Sequence, residues 1–338
     1  MGTIVPSGVI MEKLVTRAYN RFEVDEHRGV IRKLSSTERL KDEILYYLCL
    51  NRDHPTQSVF FPRPIDSHYH STDYWIDLEM YSYNNAGTYF FSEDTVMPSW
   101  SEFFLTLRNI LWEFSNVQPY TTWSQETITN AARDMYITKT EKEYQNFYDG
   151  WHDKFECLFL DQLPNHQIYI NKHQYLPFEA VWPQIKIYIE QNMLSFTPSL
   201  IHGDCCFSNI LYGPEKNIIR FIDPRGSFGP KGLYGDIRYD VAKLYHSVDG
   251  MYEAFIMDKF KVKQNGNFYD IIVKDDAEID WAKQEFEWAF FPQFNIKEIK
   301  IIQGCIFIGM CARHYDSMER QRAMYLTGIR LLNEALYL

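Results

Sequence analysis

Hydrophobic and polar positions follow two periods along this chain, and the period changes with position. Near the start the pattern is short and strand-like. Residues 14–24 read as one strand, residues 25–29 as a polar turn, and Val30-Ile31-Arg32-Lys33-Leu34 as a second strand. Ser35 and Glu38 have the spacing of a capping box, and the helix after them sets Leu40, Ile44, Leu45 and Leu48 on one face. Residues 74–80 read as another strand, running into the polar Tyr81-Ser82-Tyr83-Asn84-Asn85-Ala86-Gly87. After Gly87 the helical period takes over. Ser99 and Glu102 again have capping-box spacing, followed by an apolar stripe of Phe103, Leu107, Ile110, Leu111 and Phe114. Residues 119–178 read as helical stretches rich in aromatics, among them Trp123, Tyr136, Tyr144, Phe147, Tyr148 and Trp151. Aromatics at this spacing read as core in preference to a box for a quaternary ammonium. Residues 239–248, 299–310 and 320–338 add further amphipathic or apolar helices.

One stretch breaks this pattern and carries the chemistry. Leu200-Ile201 reads as a short buried strand, residues 209–212 as a second, and residues 218–222 as a third. Gly213-Pro214-Glu215-Lys216-Asn217 forms the turn between the last two. In an antiparallel hairpin the start of one strand lies beside the end of the other. Asn209 and Asp223 therefore share one end, and the loop carrying Asp204 feeds into it. Magnesium takes oxygen ligands, one or two from protein and the rest from phosphate and water. Asn209 and Asp223 suit that role. Asp204 suits the orienting of a substrate hydroxyl, or the acceptance of its proton. Phosphoryl transfer needs mainly positioning and charge neutralisation, which so small a set can supply. The bland alternative is a set of ordinary turns, since Gly-Asp and Asp-Pro are common turn signals.

The run Ile201-His202-Gly203-Asp204, with Asn209 five residues after Asp204, resembles the catalytic loop of the aminoglycoside phosphotransferase and choline kinase superfamily. Asp223-Pro224-Arg225-Gly226, Tyr234-Gly235-Asp236 and Tyr239-Asp240-Val241-Ala242-Lys243-Leu244 resemble a narrower bacterial branch associated with capsule or surface-polysaccharide synthesis. These motifs cover residues 201–244. The resemblance implies an α+β, two-lobed protein-kinase-like fold. Residues 1–86 would form a small strand-rich nucleotide-binding lobe, and residues 87–338 a larger, mainly helical catalytic and substrate-binding lobe. It implies Asp204 as catalytic base, and Asn209 and Asp223 as ligands of Mg2+. Asp240 would brace the catalytic loop from a helix start, its alternative being a plain helix N-terminal acid. Lys33 would meet nucleotide phosphates, held by Glu43, with Arg32 as the competing cation on the opposite face of the strand. The backbone near Glu79 and Met80 would meet the base of ATP or GTP. Arg225 would meet phosphate or substrate, or make a salt bridge. His314 and Asp316, at a helix break, would contact a polar substrate or satisfy a polar turn. Residues 16–20 occupy the place of a glycine-rich phosphate loop but contain no glycine.

Composition narrows the classes. The chain has 338 residues with 46% hydrophobic and 17% aromatic content, enough for a large core and against disorder. No apolar run reaches the roughly 20 residues of a membrane helix, and residues 1–13 lack the pattern of a secretory signal. A cytoplasmic protein without membrane insertion is expected. The net charge of −11 disfavours nonspecific nucleic-acid binding. The six cysteines form no Cys-x-x-Cys pattern and read as free thiols, with Cys205 and Cys206 placed where oxidation would touch the catalytic loop. The leading expectation is an Mg-dependent kinase acting on a hydroxyl of a sugar, polyol or amino alcohol. A noncatalytic nucleotide-binding protein and a protein kinase are the competing readings.

Overall fold

Strand and helix signals of the N-terminal part resolve into one sheet and one long helix. In the computed structural model, which describes residues 21–70, 73–91, 97–273 and 277–338, the chain divides into two compact units. One comprises Met1–Pro119 and Ser199–Gly235, the other Tyr120–Pro198 and Asp236–Leu338. The architecture is α+β, as the sequence implies. The expected strand at residues 14–20 and the phosphate-loop position at residues 16–20 lie outside the described residues.

The first unit holds a four-stranded antiparallel sheet. Its order is Arg21–Asp25, Val30–Ser35, Tyr74–Glu79, Pro64–His68. The helix Glu38–Asp53 packs on the last two strands. It buries Leu40, Glu43, Ile44, Tyr46, Tyr47 and Leu50, while Leu45 and Leu48 are only half-buried. The buried stripe is thus rotated from the expected one toward the tyrosines. The Ser35–Glu38 capping box does not form either. Thr37 is the N-cap without a side-chain cap bond, because Ser35 is still the last residue of its strand. Glu38 instead accepts a hydrogen bond from the Tyr74 hydroxyl at 2.7 Å.

A second, three-stranded sheet in this unit runs Ile218–Phe221, Ile210–Gly213, Asn84–Asn85. The helix Trp100–Ser115 starts as expected, with Ser99 accepting from the Glu102 N–H at 3.2 Å. Its predicted stripe of Phe103, Leu107, Ile110, Leu111 and Phe114 is buried throughout. Trp100 stacks on Phe207 at 5.9 Å, so the core reaches directly into the loop after Asp204.

The second unit is mainly helical. It contains Gln125–Arg133, Lys139–Trp151, Phe178–Asn192, Ile237–Val248, Ile296–Cys311 and Met318–Leu336. A π-helical turn, Asp134–Thr138, joins the first two. Tyr136, Tyr144 and Phe147 are buried, as core aromatics should be. One feature was not expected within this mainly helical part. A sheet ordered Phe260–Asn265, Phe268–Val273, Ile168–Ile170, His173–Tyr175 is present, with its middle pair parallel. Its short hairpin turns through Asn171 (φ 48°) and Lys172 (φ 71°), both left-handed, as a two-residue type I′ loop requires. Among the described residues no helix is long and apolar enough to cross a membrane.

Candidate active site

The first unit places the hairpin of interest as the sequence predicts. Phe221 pairs with Ile210, and the Ile222 N–H donates to the Asn209 carbonyl at 3.0 Å. Asn209 and Asp223 therefore stand at the same end. The turn at the far end closes through Asn217 in the left-handed region (φ 50°). Asn209 donates its amide Nδ2 to the Asp204 carbonyl at 2.9 Å, which turns its Oδ1 away from that carbonyl. The Cys206 N–H donates to the same oxygen at 2.9 Å. The Asp204 loop is thus held closed from both sides.

His202 fastens this loop to the Asp223 turn. It is fully buried, and its Nδ1 accepts from the Asp204 N–H at 3.1 Å. That assignment puts the ring proton on Nε2, which donates to the Ile222 carbonyl at 2.9 Å. The ring stacks on Phe61 at 5.9 Å with the planes 14° apart, and lies 5.6 Å from Phe221. From the other side, the Arg225 N–H donates to the His202 carbonyl, and the Tyr46 hydroxyl to the Ile201 carbonyl, both at 2.9 Å. Two glycines permit the close approach. A Cβ on Gly203 (φ +80°) would sit 2.8 Å from Arg225 Cβ, and one on Gly226 (φ +69°) would sit 2.6 Å from the Asp42 carbonyl oxygen. These contacts give the Gly-Asp and Asp-Pro-Arg-Gly spacings a structural cause.

Three charged groups meet at this end. Lys33 Nζ lies 2.6 Å from Glu43 Oε2 and also pairs with the Asp223 carboxylate. The side chains of Lys33 and Glu43 are 8% and 7% exposed, whereas that of Asp223 is 46% exposed, so water reaches one side of it. Burial pushes the Asp223 carboxyl up, and the charge of Asp204 adds to this, but Lys33 outweighs both and holds it below the usual range. Burial, helped by the charge of Asp223, pushes Glu43 up to about 8 against the pull of Lys33. Burial also acts to lower Lys33, yet Asp223 and Glu43 hold it above its ordinary value. Of the two carboxyls, the more exposed Asp223 is held below its ordinary range and the buried Glu43 is pushed above it. Asp223 itself adopts φ 62°, a left-handed conformation that Asp tolerates better than most residues.

Arg32, the competing cation, takes the other face of its strand. It forms a bidentate pair with Asp77 at 2.6 and 2.9 Å, and its guanidinium lies 4.0 Å over Trp75. Glu79 and Met80 end the neighbouring strand. Their N–H groups donate to the Arg63 and Gly29 carbonyls at 3.0 and 2.9 Å, so these two donors are already engaged. Arg225 contributes its backbone N–H, and its side-chain stem packs against Gly203.

The other predicted residues belong to the second unit. Asp240 is fully buried in the first turn of Ile237–Val248. The cap of that helix is Asp236, whose side chain accepts from the Arg238 N–H at 3.0 Å and from the Tyr136 hydroxyl at 2.7 Å. The sequence analysis quotes Asp236 within a motif but gives it no role, although Gly-Asp before an amphipathic run is a helix-start signal. His314 and Asp316 lie between Ile296–Cys311 and Met318–Leu336, where Asp316 accepts from Arg320 at 2.8 Å. His202 and Tyr46 were also given no role from sequence. A histidine straight after the buried Leu200-Ile201 was the available sign for the first. Cys205 and Cys206 are buried at 0% and 3% exposure, which removes the accessibility that ready oxidation requires.

An Asp carboxylate and an Asn side-chain oxygen are donors of the kind that magnesium takes. Among the described residues no three His, Cys, Asp or Glu side chains gather into a metal cage. Magnesium needs no such cage, since one or two protein oxygens suffice when phosphate and water supply the rest. The partly exposed Asp223 carboxylate and the Asn209 Oδ1 offer two hard oxygens at one end of the hairpin.

No family model and no curated protein matches the chain. Solved structures do. One is described as a fructosamine-3-kinase from Haemophilus somnus 129PT, at 13% identity over 91% of this chain and 83% of that one, with a TM-score of 0.49. Another is the GDP complex of wild-type aminoglycoside 2′-phosphotransferase-IIIa, at 12% identity over 95% and 90%, with a TM-score of 0.46. A third is the ternary complex of APH(2″)-IIa with streptomycin and ATP, at 13% identity over 99% and 98%, with a TM-score of 0.45. These are distant likenesses of fold, and the reading of individual residues rests on the geometry above.

Proposed function

We propose that this protein is a Mg-dependent phosphotransferase that moves the terminal phosphate of a nucleoside triphosphate to a hydroxyl of a small molecule. The observation that carries the proposal is the meeting of Lys33, Glu43 and Asp223 beside the loop of Asp204 and Asn209. A strand, a helix and a hairpin turn, far apart in sequence, bring one cation against two carboxylates at the end of the hairpin where Asn209 ties the Asp204 loop. A structural ion pair has no need of the adjoining carboxylate at Asp204, nor of an Asp223 left open to water.

In this reading residues 1–86 bind the nucleotide and residues 87–338 supply catalysis and the acceptor site. Lys33, positioned by Glu43, holds phosphate oxygens. Asp223 and Asn209 hold magnesium, which when bound supplies charge neutralisation at the phosphates. Asp204 orients the acceptor hydroxyl and takes its proton as the acceptor oxygen bonds to the terminal phosphorus and the bond from that phosphorus to the bridging oxygen breaks, releasing nucleoside diphosphate. His202 is a positioning residue, fixing the Asp204 backbone against the Asp223 turn. The stretch around Glu79 and Met80 borders the base. Arg225, Asp240, His314 and Asp316 stay in the scheme as supporting or substrate-side residues. The acceptor class is a sugar, polyol or amino alcohol, with surface-polysaccharide assembly as its setting and the cytoplasm as its place.

The test is nucleotide turnover against pooled sugars, polyols and amino alcohols, with and without magnesium. Acceptor-dependent, magnesium-dependent formation of a phosphorylated small molecule supports the proposal. Phosphate appearing only on a protein acceptor would move the reading to a protein kinase. Nucleotide binding with no transfer to either class of acceptor would favour a noncatalytic binding protein.

A further inference from the structure

In the reading above Lys33 holds phosphate and Asp223 holds the metal, yet in the structure the two hold each other. Lys33 Nζ pairs with the Asp223 carboxylate and lies 2.6 Å from Glu43 Oε2. An ammonium has three donors and no acceptor, and two carboxylates engage this one. Asn209 offers an oxygen without charge, so Asp223 is the charged member of the proposed ligand pair. Whatever occupies that carboxylate decides whether a cation can join it.

The two ends of this pair differ in freedom. The Asp223 turn is pinned, because the Ile222 N–H donates to the Asn209 carbonyl at 3.0 Å and the Arg225 N–H to the His202 carbonyl at 2.9 Å. The Lys33 backbone is pinned as well. Its strand lies inside the sheet, with Phe22 opposite Lys33 on one side and Ile76 on the other. What remains free to move is the lysine stem, four carbons long and flexible, which can carry its charge from one oxygen to another. The nearly buried Glu43 keeps the ammonium at the site whichever anion it meets next. The partly exposed Asp223 is the side where exchange can take place. A triphosphate brings more anionic oxygen than one carboxylate, so it can draw the ammonium away from Asp223. A free divalent cation brings none. It meets a carboxylate already paired, and beside it an ammonium of its own sign.

We propose that Lys33 is a built-in counter-cation that guards Asp223 against free divalent metal and yields it when nucleotide phosphate takes the ammonium, so that metal is held only together with nucleotide. The inference rests on the phosphotransferase reading, which assigns the phosphate and metal roles. It gives the cluster a consequence that a fixed ion pair lacks. Loss of the Lys33 ammonium should weaken nucleotide binding and strengthen the binding of metal alone.

The experiment measures Mn2+ binding to the full chain by water-proton relaxation, which is enhanced when the ion is carried by a slowly tumbling protein. Mn2+ favours the same oxygen ligands as Mg2+. Asp223→Asn marks the site, since only binding that it removes is counted. The nucleotide-free parent should show no such binding at Mn2+ concentrations that fill the site once ATP or GTP is added. Lys33→Met should bind Mn2+ alone more tightly than the parent by at least roughly 10-fold, the lower end of the roughly 10- to 1,000-fold by which a neighbouring charge alters a carboxylate's hold on a proton. Glu43→Gln leaves the ammonium on Asp223 and should still exclude the ion, which separates loss of the guarding charge from a general loosening of the cluster. Mn2+ held at Asp223 of the nucleotide-free parent as tightly as with nucleotide overturns the inference without calling on any Lys33 variant, and leaves the phosphotransferase reading standing. A folded Lys33→Met that gains no affinity, or a Glu43→Gln that gains as much, does the same. The absence of Asp223-dependent binding in the parent with either nucleotide overturns both.

Discussion

Replacing Lys33 by Met should destabilise the first unit, by an amount the structure lets us estimate. Lys33 and Glu43 are 2.6 Å apart with side chains 8% and 7% exposed, so neither group recovers hydration when its partner is lost. Removing one member of such a buried pair costs about 3–5 kcal/mol. Two features place the expectation at the lower end. Glu43 is already pushed up to about 8, so it can take a proton and shed its charge. Asp223, at 46% exposure, keeps part of its hydration, and its own pairing contributes at most about 1 kcal/mol. We expect Lys33→Met to cost about 3 kcal/mol. Glu43→Gln should cost about 1–2 kcal/mol, the scale of one altered buried hydrogen bond. The double variant should cost less than the sum by about 2 kcal/mol, because no uncompensated buried charge remains. Urea unfolding followed by tryptophan fluorescence, compared at unchanged m, gives these differences. A Lys33→Met cost below about 1 kcal/mol, or strictly additive single and double variants, would refute the reasoning that this is a buried, coupled charge cluster.

Three further outcomes follow from the same geometry. Asp223→Asn should weaken magnesium-nucleotide binding and shift its magnesium dependence to higher concentration, since a charged ligand is lost; an unchanged magnesium titration contradicts the ligand assignment. His202→Phe keeps the stack on Phe61 but leaves the Asp204 N–H and the Ile222 carbonyl unpaired, so it should cost about 2–6 kcal/mol in urea unfolding. Parent-like stability there would show that the histidine is not the tie we describe. In the second unit, burial acts to raise Asp249, but Arg330, Lys300 and Lys283 outweigh it and hold the carboxyl well below its ordinary value of 3.8. Lys283 and Lys300 lie 2.6 and 3.2 Å from it. Its contribution is present above that ordinary value and lost as pH falls through the folded one. Asp249→Asn should therefore lower stability at neutral pH and flatten the loss of stability below about pH 4, and an unchanged acid limb in thermal unfolding would contradict this.

The fold was legible in sequence where local signals and tertiary demand agreed. The hairpin around Asn209 and Asp223 was found because a strong turn separates two apolar runs, and the helix at Trp100–Ser115 because its cap and stripe coincide. Lys33 and Arg32 could be placed on opposite faces because a strand alternates. The capping box at Ser35 failed because sheet pairing with Tyr74 competed for the same residue and won. The sheet of Ile168–Ile170, His173–Tyr175, Phe260–Asn265 and Phe268–Val273 was missed because its first two strands have only three residues each and its middle pairing joins segments about 100 residues apart. Within the candidate site, the side chains proposed to act on substrate were chosen by residue type and spacing. The residues that hold them, His202 and Tyr46, were not, because their roles are hydrogen bonds to backbone groups distant in sequence.

The measurement closest to the central claim compares the parent with Asp204→Asn, using nucleoside triphosphate labelled in its terminal phosphate and an accepting alcohol. We expect magnesium-nucleotide binding to persist in the variant while transfer to the alcohol falls by roughly 100- to 10,000-fold, the usual worth of a positioned base. Transfer at the parent rate in Asp204→Asn would contradict the site described here.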